Sequence, residues 1–323
     1  MIVKDNVPIS GLVKRIFRET YGVEDTELYR NAEASERFRN DVKKLRESYA
    51  KPFCDTDYND YEIRKAYMIA YYPYYIEPAR YVVENFVVPM FNEPELHFFA
   101  CGPCPELYGT LLALRDKNFR GKIFVNTYDV ESEWSLYCTY NLCEEILPIE
   151  YWSFQFNFFV GDSLSFAERI RDFDILYPDE KIFFLQNYLS HMPDTPQAVE
   201  KFLSWFRKLL SFPSYLYHYE YYFVFIDLNY NSTATVFRRL VDENFLQANE
   251  LEKIAAHIPD DGEPLTIRHG NTTQALRDNI FTGEDGLIQK KNTNFYFVVL
   301  RRRYDRDSYR EDFYQEDIYG NLF

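Results

Sequence analysis

Four short stretches carry residue types that could do chemistry together, and each directly follows an apolar, strand-like run. The first is Ala100-Cys101-Gly102-Pro103-Cys104-Pro105-Glu106, continuing to Leu107-Tyr108-Gly109. Small residues at such a turn let a ligand approach the backbone, and the N-terminus of a following helix adds N–H donors. The second is Asp129, followed by Val130 and then Trp134. A carboxylate at the end of a second strand can accept both hydrogen bonds of a ribose diol. The third is Gly161-Asp162-Ser163-Leu164, where an acidic side chain beside an apolar one can bind an exocyclic amine and flank a purine. The fourth is Gln186-Asn187-Tyr188, with His191 three residues on. An imidazole titrates near neutral pH and can act as a general base.

Each of these residues also has a plain structural use. Asp129 and Asp162 are suited to capping the helices that follow them. Trp134 is suited to a core, and His191 to a loop. The cluster Tyr67, Tyr71, Tyr72, Tyr74 and Tyr75 can line a substrate pocket or simply pack between layers. Arg301-Arg302-Arg303, directly after the last strand, can touch an anionic substrate, although its neighbours Asp305, Asp307, Glu311 and Asp312 favour a self-paired surface.

The elements that must position these residues follow from hydrophobic period. Residues 1–92 read as helical, with Leu12, Val13, Ile16, Phe17 and Tyr21 at helical spacing and a charged, solvated helix over 24–49. Residues 58–91, interrupted by Pro73, Pro78 and Pro89, read as two or three short buried helices. From Glu95 onward strands alternate with helices. Strands fall at 96–100, 122–128, 154–160, 181–185, 221–226, 265–269 and 294–300. Helices fall at 105–118, 131–143, 163–171, 198–210 and 233–245. This alternation predicts an α/β fold, a doubly wound and mainly parallel sheet covered on both faces. Ligands bind such sheets at the carboxyl ends of the strands. The domain division is a helical cap over 1–92, a Rossmann-like domain over 93–303, and a charged arm over 304–323.

The string Ala100-Cys101-Gly102-Pro103-Cys104-Pro105-Glu106 resembles the glycine-rich first motif of class I S-adenosylmethionine-dependent methyltransferases, often Gly-x-Gly-Pro-Gly-x-Glu. The resemblance covers roughly residues 95–301 and rests on four strand ends agreeing in order. It implies that Ala100, Gly102 and Cys104 lie against the methionine part of S-adenosylmethionine. Asp129 would then hold the ribose, Val130 and Trp134 would flank the adenine, and Asp162 with Ser163 would read its edge. Asn187 would border the cofactor, and His191 would be the catalytic candidate. The last two strands would form the fold's reversed final hairpin, and the helical region would face the substrate. In two places the chain departs from the family: Phe98 stands where an acidic residue is usual, and Ala100 and Cys104 replace glycines. Asn187-Tyr188 lacks the prolines of the Asn-Pro-Pro-Tyr motif, so it does not imply nitrogen methylation. A scaffold that binds the cofactor without chemistry is a further alternative.

Cys101-Gly102-Pro103-Cys104 is also similar to the active-site string of thioredoxins, where a helix N-terminus lowers the first thiol's pKa. That reading leaves the strand–helix series after Leu185, Asp129 and Gly161-Asp162 without a role, and the tryptophan usual before the first cysteine is replaced by Ala100. A metal site on Cys101, Cys104, Cys138 and Cys143 has a loose second spacing and no histidine to complete a familiar zinc pattern.

Composition narrows the partners. The 323 residues carry 36 basic and 51 acidic side chains, net −15, which argues against long nucleic acid and leaves a small-molecule or protein substrate. The longest apolar run is too short for a membrane span of about 20 residues. The N-terminal residues lack a signal-peptide core, and five cysteines do not suggest a secreted disulfide framework. The expected compartment is the cytoplasm.

Overall fold

Aromatic and β-branched runs build the sheet, and amphipathic helices cover it. The structure, a computed structural model, describes residues 1–4, 7–50, 56–87, 94–134, 141–143, 146, 152–161, 180–210 and 220–303. The strands are β1 (Ile2–Lys4), β2 (Pro94–Phe99), β3 (Gly121–Asp129), β4 (Trp152–Val160), β5 (Glu180–Gln186), β6 (Glu220–Leu228), β7 (Leu251–His257), β8 (Leu265–Arg268) and β9 (Asn292–Arg303). They form one sheet in the order β1-β8-β9-β6-β5-β2-β3-β4, with β7 also paired to β9. The five strands from β4 to β6 run parallel, and β9 lies antiparallel to β6. The order reverses beside β2, which places the topological switch point between the ends of β2 and β5.

The helices are α1 (Ile9–Ile16), α2 (Ala32–Tyr49), α3 (Tyr61–Ala70), α4 (Tyr72–Phe86), α5 (Pro105–Asp116), α6 (Pro196–Leu210), α7 (Asn231–Leu240), α8 (Glu243–Ala248) and α9 (Gln274–Asn279). Residues of α1–α5 share one apolar core with Leu96, Phe98, Phe184 and Val224 of the sheet. The other face buries Phe99, Phe183 and Phe223 against Phe202, Trp205 and Phe206 of α6. Period-2 alternation puts Phe98 on one side, stacked on Phe184 at 4.7 Å, and Phe99 on the other, edge-on to Trp205 at 5.3 Å. Gly109 lets α5 meet α4 backbone to backbone, since a Cβ there would lie 2.3 Å from the Ile76 carbonyl oxygen.

Several elements differ from the sequence reading. Residues 2–4 are an edge strand parallel to β8 rather than part of the helical region. The stretch over 24–49 is a 3-10 helix, Asp25–Tyr29, followed by α2. Asn31 makes that break, because its side chain caps α2 by accepting the Ala34 N–H at 3.0 Å. Nor is α2 wholly solvated, for it buries Phe38, Val42 and Leu45. Pro78 sits inside α4 without ending it; burial of Tyr74, Ile76, Ala79 and Val82 around it outweighs the lost backbone bond. Residues 131–134 are turn, not helix. The helix expected over 233–245 is two, α7 and α8, because Asp242 caps the second through the Phe245 N–H at 3.1 Å. The final hairpin is split, with β8 on residues 292–295 of β9 and the unforeseen β7 on residues 297–302. The helix expected at 163–171 and the arm at 304–323 lie outside the described residues. Among the described residues no helix is long and apolar enough to cross a membrane.

Candidate functional site

The turn after β2 has a strained backbone. Ala100, Gly102 and Cys104 all take positive φ, at 49°, 52° and 57°. Glycine adopts this conformation freely, whereas other residues pay roughly 1–2 kcal/mol. The two positions where the chain departs from a glycine pattern are therefore left-handed all the same. The Cys104 N–H closes the turn on the Cys101 carbonyl at 2.7 Å, and α5 begins one residue later.

Asp129, at the end of β3, braces that turn. Its Oδ2 accepts the Gly102 N–H at 2.7 Å and its Oδ1 accepts the Glu131 N–H at 2.9 Å. Burial pushes its pKa up, against these backbone bonds. Trp134 lies over Gly102 so closely that a Cβ there would come 3.2 Å from the indole. The indole is buried among aromatics, with ring centroids 4.8 Å from Tyr58 and 5.4 Å from Tyr67. Val130 is exposed at the rim, at 74%.

On the other side of the switch point, β5 ends in Gln186 and Asn187. Gln186 Nε2 donates to the Tyr75 carbonyl at 2.6 Å, tying the sheet to α4. Asn187 is left-handed, φ 57°, with its N–H on the Ile226 carbonyl at 3.0 Å. A short 3-10 turn, Leu189–His191, follows. Asp227, at the end of β6, holds this turn by accepting the Leu189 N–H at 2.6 Å, and Ser232 Oγ donates to the Leu189 carbonyl at 2.6 Å. Burial raises Asp227 to about 7, against the backbone bonds from Leu228 and Leu189. The half-buried His191 ring lies 5.8 Å from Tyr49 and 6.3 Å from Tyr58 between centroids. Burial lowers its pKa to about 4, so the imidazole is neutral at pH 7.

These pieces line one hollow of ≈ 180 Å³ at the strand ends. Of the residues singled out in the sequence, Ala100, Gly102, Asp129, Val130, Trp134, Asn187 and His191 all border it. Cys104 does not border it; it is fully buried as the residue preceding α5. Asp162 and Ser163 lie outside the described residues, although the Gly161 N–H on the Asp129 carbonyl at 2.8 Å brings the end of β4 alongside. Sequence reasoning assigned no role to Glu106, Tyr49 or Tyr58, which also line the hollow. Glu106 was legible only as the last letter of the turn motif. Tyr49 and Tyr58 come from a helix end and a loop far away in sequence, and nothing local marks them.

Two buried acceptors in this wall, Glu106 Oε1 and Gln186 Oε1, have no hydrogen-bond partner among the described residues. Burial pushes the Glu106 carboxyl well up, and the neighbouring Asp129 adds to the effect. The cysteines behave oppositely to a reactive pair. Burial raises the Cys101 thiol and raises Cys104 further, whereas thiolate chemistry needs a lowered pKa. The helix N-terminus does not overcome this. Cys143 is buried in the apolar core.

No family model matches the sequence, and neither does any curated protein. Among solved structures, the fold is similar to a plantazolicin methyltransferase in complex with S-adenosylhomocysteine, at 12% identity, covering 84% of this chain and 98% of that one, TM-score 0.38. It is also similar to the same enzyme in complex with a monoazolic desmethylplantazolicin analogue and S-adenosylhomocysteine, at 11% identity, 84% and 98% coverage, TM-score 0.40. A third similarity is to a candidate class I S-adenosylmethionine-dependent methyltransferase from Listeria monocytogenes, at 11% identity, 92% and 89% coverage, TM-score 0.38. The mainly parallel, Rossmann-like architecture is read from the sheet itself, with β4, β3, β2, β5 and β6 parallel and β9 antiparallel to β6.

Proposed function

We propose that the protein is an S-adenosylmethionine-dependent methyltransferase acting on a small-molecule or protein acceptor. The observation that carries this reading is the pair of buried acceptors without donors, Glu106 Oε1 and Gln186 Oε1, beside Asp129 in one strand-end hollow. Acceptors left without donors call for a ligand that brings donors or positive charge. A nucleoside carrying an amino acid and a sulfonium brings both. S-adenosylmethionine supplies a methyl group already electrophilic on sulfur, so the protein chiefly has to align the acceptor with it.

The chain's own residues divide the work as follows. Glu106 and Gln186 accept from the ligand's ammonium, and the positive charge draws Glu106 into its ionised form. Asp129 keeps the Gly102 turn in place and offers its remaining lone pairs to the ribose diol. Val130 flanks the adenine, and Asp162 with Ser163 meet its edge. Asn187 borders the cofactor. The Trp134 indole moves off Gly102 when a ligand lies on that turn. Neutral His191 accepts a hydrogen bond from the acceptor nucleophile, and Tyr49, Tyr58 and Tyr67 wall the acceptor side.

Calorimetry with S-adenosylhomocysteine tests this. Saturable binding is expected, weakened at least tenfold by Asp129→Ala and accompanied by a change in tryptophan fluorescence that Trp134→Phe removes. Absence of both heat and fluorescence change up to millimolar ligand would overturn the reading.

A further inference from the structure

A second hollow, of ≈ 350 Å³, lies between the end of α2, Tyr71 at the start of α4, and the segment leading into β9. That is within the usual size range of small-ligand sites, about 300–1,000 Å³. Its charge is unusual for this chain. Arg46, Lys290 and Lys291 line it and no carboxylate does, although the protein as a whole carries net charge −15. The rest of the lining is Ala70, Tyr71, Ile288, Gln289 and Asn292.

The three cations are held by neutral groups. Arg46 donates to the carbonyls of Gly286 and Ile288 and lies 5.4 Å from the Phe281 ring centroid. Lys291 Nζ donates to Asn271 Oδ1 at 2.6 Å and Gln289 Oε1 at 3.2 Å. Lys290 Nζ stands over two tyrosine faces, 4.9 Å from the Tyr75 centroid and 5.5 Å from Tyr71. Tyr75 is 1% exposed, so the ammonium is turned inward although the residue as a whole is only half-buried. Among the described residues no carboxylate lies within ion-pair distance of any of the three. An ammonium has three N–H donors, and ring faces satisfy its charge only in part. Burial, with repulsion from Arg46 added, pulls Lys290 down to about 8.

We propose that this hollow is a binding site for the oxyanion head of a small ligand, a carboxylate or a phosphate, seated on Lys290 with Lys291 and Arg46 supplying further positive charge. The site is separate from the strand-end hollow, with which it shares no lining residue, and it does not depend on the methyltransferase reading. An oxyanion fills both deficits described above. It gives the inward ammonium oxygen acceptors, and it screens the repulsion between Lys290 and Arg46. The groups facing Lys290 are Arg46 from α2 and Tyr71 and Tyr75 from the α3–α4 corner; Gln289 and Lys291 line the same hollow from its own segment.

The test is calorimetric titration of the full chain at low ionic strength with sodium phosphate and, separately, sodium succinate. Saturable binding of one anion per chain is expected at pH 7. Phosphate alone would assign a phosphate ester and succinate alone a carboxylate ligand. Affinity should fall at least tenfold in Lys290→Gln and remain unchanged in Lys253→Gln, which alters an exposed lysine on β7. It should also weaken as the pH rises through about 8, where the ammonium loses its proton. Lys290→Gln should melt no lower than wild type without anion, since it removes an unpaired inward charge, and it should still bind S-adenosylhomocysteine as wild type does. Failure of both anions to saturate in the millimolar range would overturn the proposal. So would wild-type anion affinity in Lys290→Gln.

Discussion

Carboxylates near the two ends of the parallel strands are treated in opposite ways. Near the amino end of β2, Glu95 is met by polar and basic side chains. Asn126 Nδ2 donates to it at 2.8 Å, His97 Nε2 lies at 3.2 Å and Lys181 Nζ at 3.6 Å. Burial alone would raise its pKa, but these partners overcome it and hold Glu95 at about 2. At the carboxyl ends, burial raises Asp129, Glu106 and Asp227, with backbone N–H groups and, at Asp227, the Ser190 hydroxyl to oppose it but no cation. Register explains how the matched set forms, since Lys181 stands opposite Glu95 and Asn126 opposite His97 on one face of the sheet. The contrast separates polar groups that close on themselves from polar groups left for something else. Perturbed carboxylates in a cleft are the usual mark of the second kind.

The comparison can be broken at either end. The largest effect is expected from Glu95→Ala, which strands Lys181 and His97 in the sheet. It should cost about 3–5 kcal/mol in urea unfolding and leave S-adenosylhomocysteine affinity unchanged; a loss of affinity alone would reverse the assignment. Asp227 comes next. Its native pKa of about 7 lies above the 3.8 of an ordinary aspartate, so the native state holds an extra proton between these values. Its contribution is complete below pH 4 and lost as the pH rises through 7, on the order of 4 kcal/mol. Asp227→Asn should flatten that part of the stability-against-pH curve. Asp129→Ala should do the converse of Glu95→Ala, weakening S-adenosylhomocysteine by about 2 kcal/mol, roughly thirtyfold, with a smaller change in unfolding. The smallest effect belongs to Cys101→Ser, expected to change affinity and turnover less than about threefold, well under 1 kcal/mol. A total loss of function there would restore a thiol mechanism. His191 sets a further boundary. With its pKa at about 4, it should impose no acid limb on the rate above pH 5.

Much of this architecture is legible in the sequence. β5 and β6 carry continuous apolar runs, over 182–185 and 221–226, as strands buried on both faces do, and β2 to β4 are shorter or alternating aromatic-rich runs bounded by turns. Asp129, Val130, Asn187 and His191 were legible because they follow those runs. Other features were not. β1 has three residues, and β7, Leu-Glu-Lys-Ile-Ala-Ala-His, alternates poorly. Both exist because β8 and β9 offer partners. The break at 131–134 was masked by helix-forming composition, and Asp129 takes the Glu131 N–H in a turn instead. Tyr49 and Tyr58 meet His191 only through the packing of α2 and α3. Nothing local in the sequence marks Lys290, because the Tyr75 ring beneath it comes from a distant helix.

The contact at Gly109 has a consequence for any attempt to retune the pocket. Because α4 touches α5 through main chain, with the Ile76 oxygen where a methyl group would stand, the Tyr75 carbonyl that holds Gln186 and the Glu106 carboxylate are seated as one block. Neither can slide past the other to admit a bulkier guest. Widening the chamber therefore falls to trimming single aromatic rings, and a lone methyl at position 109 would pry the two halves of the gauge apart.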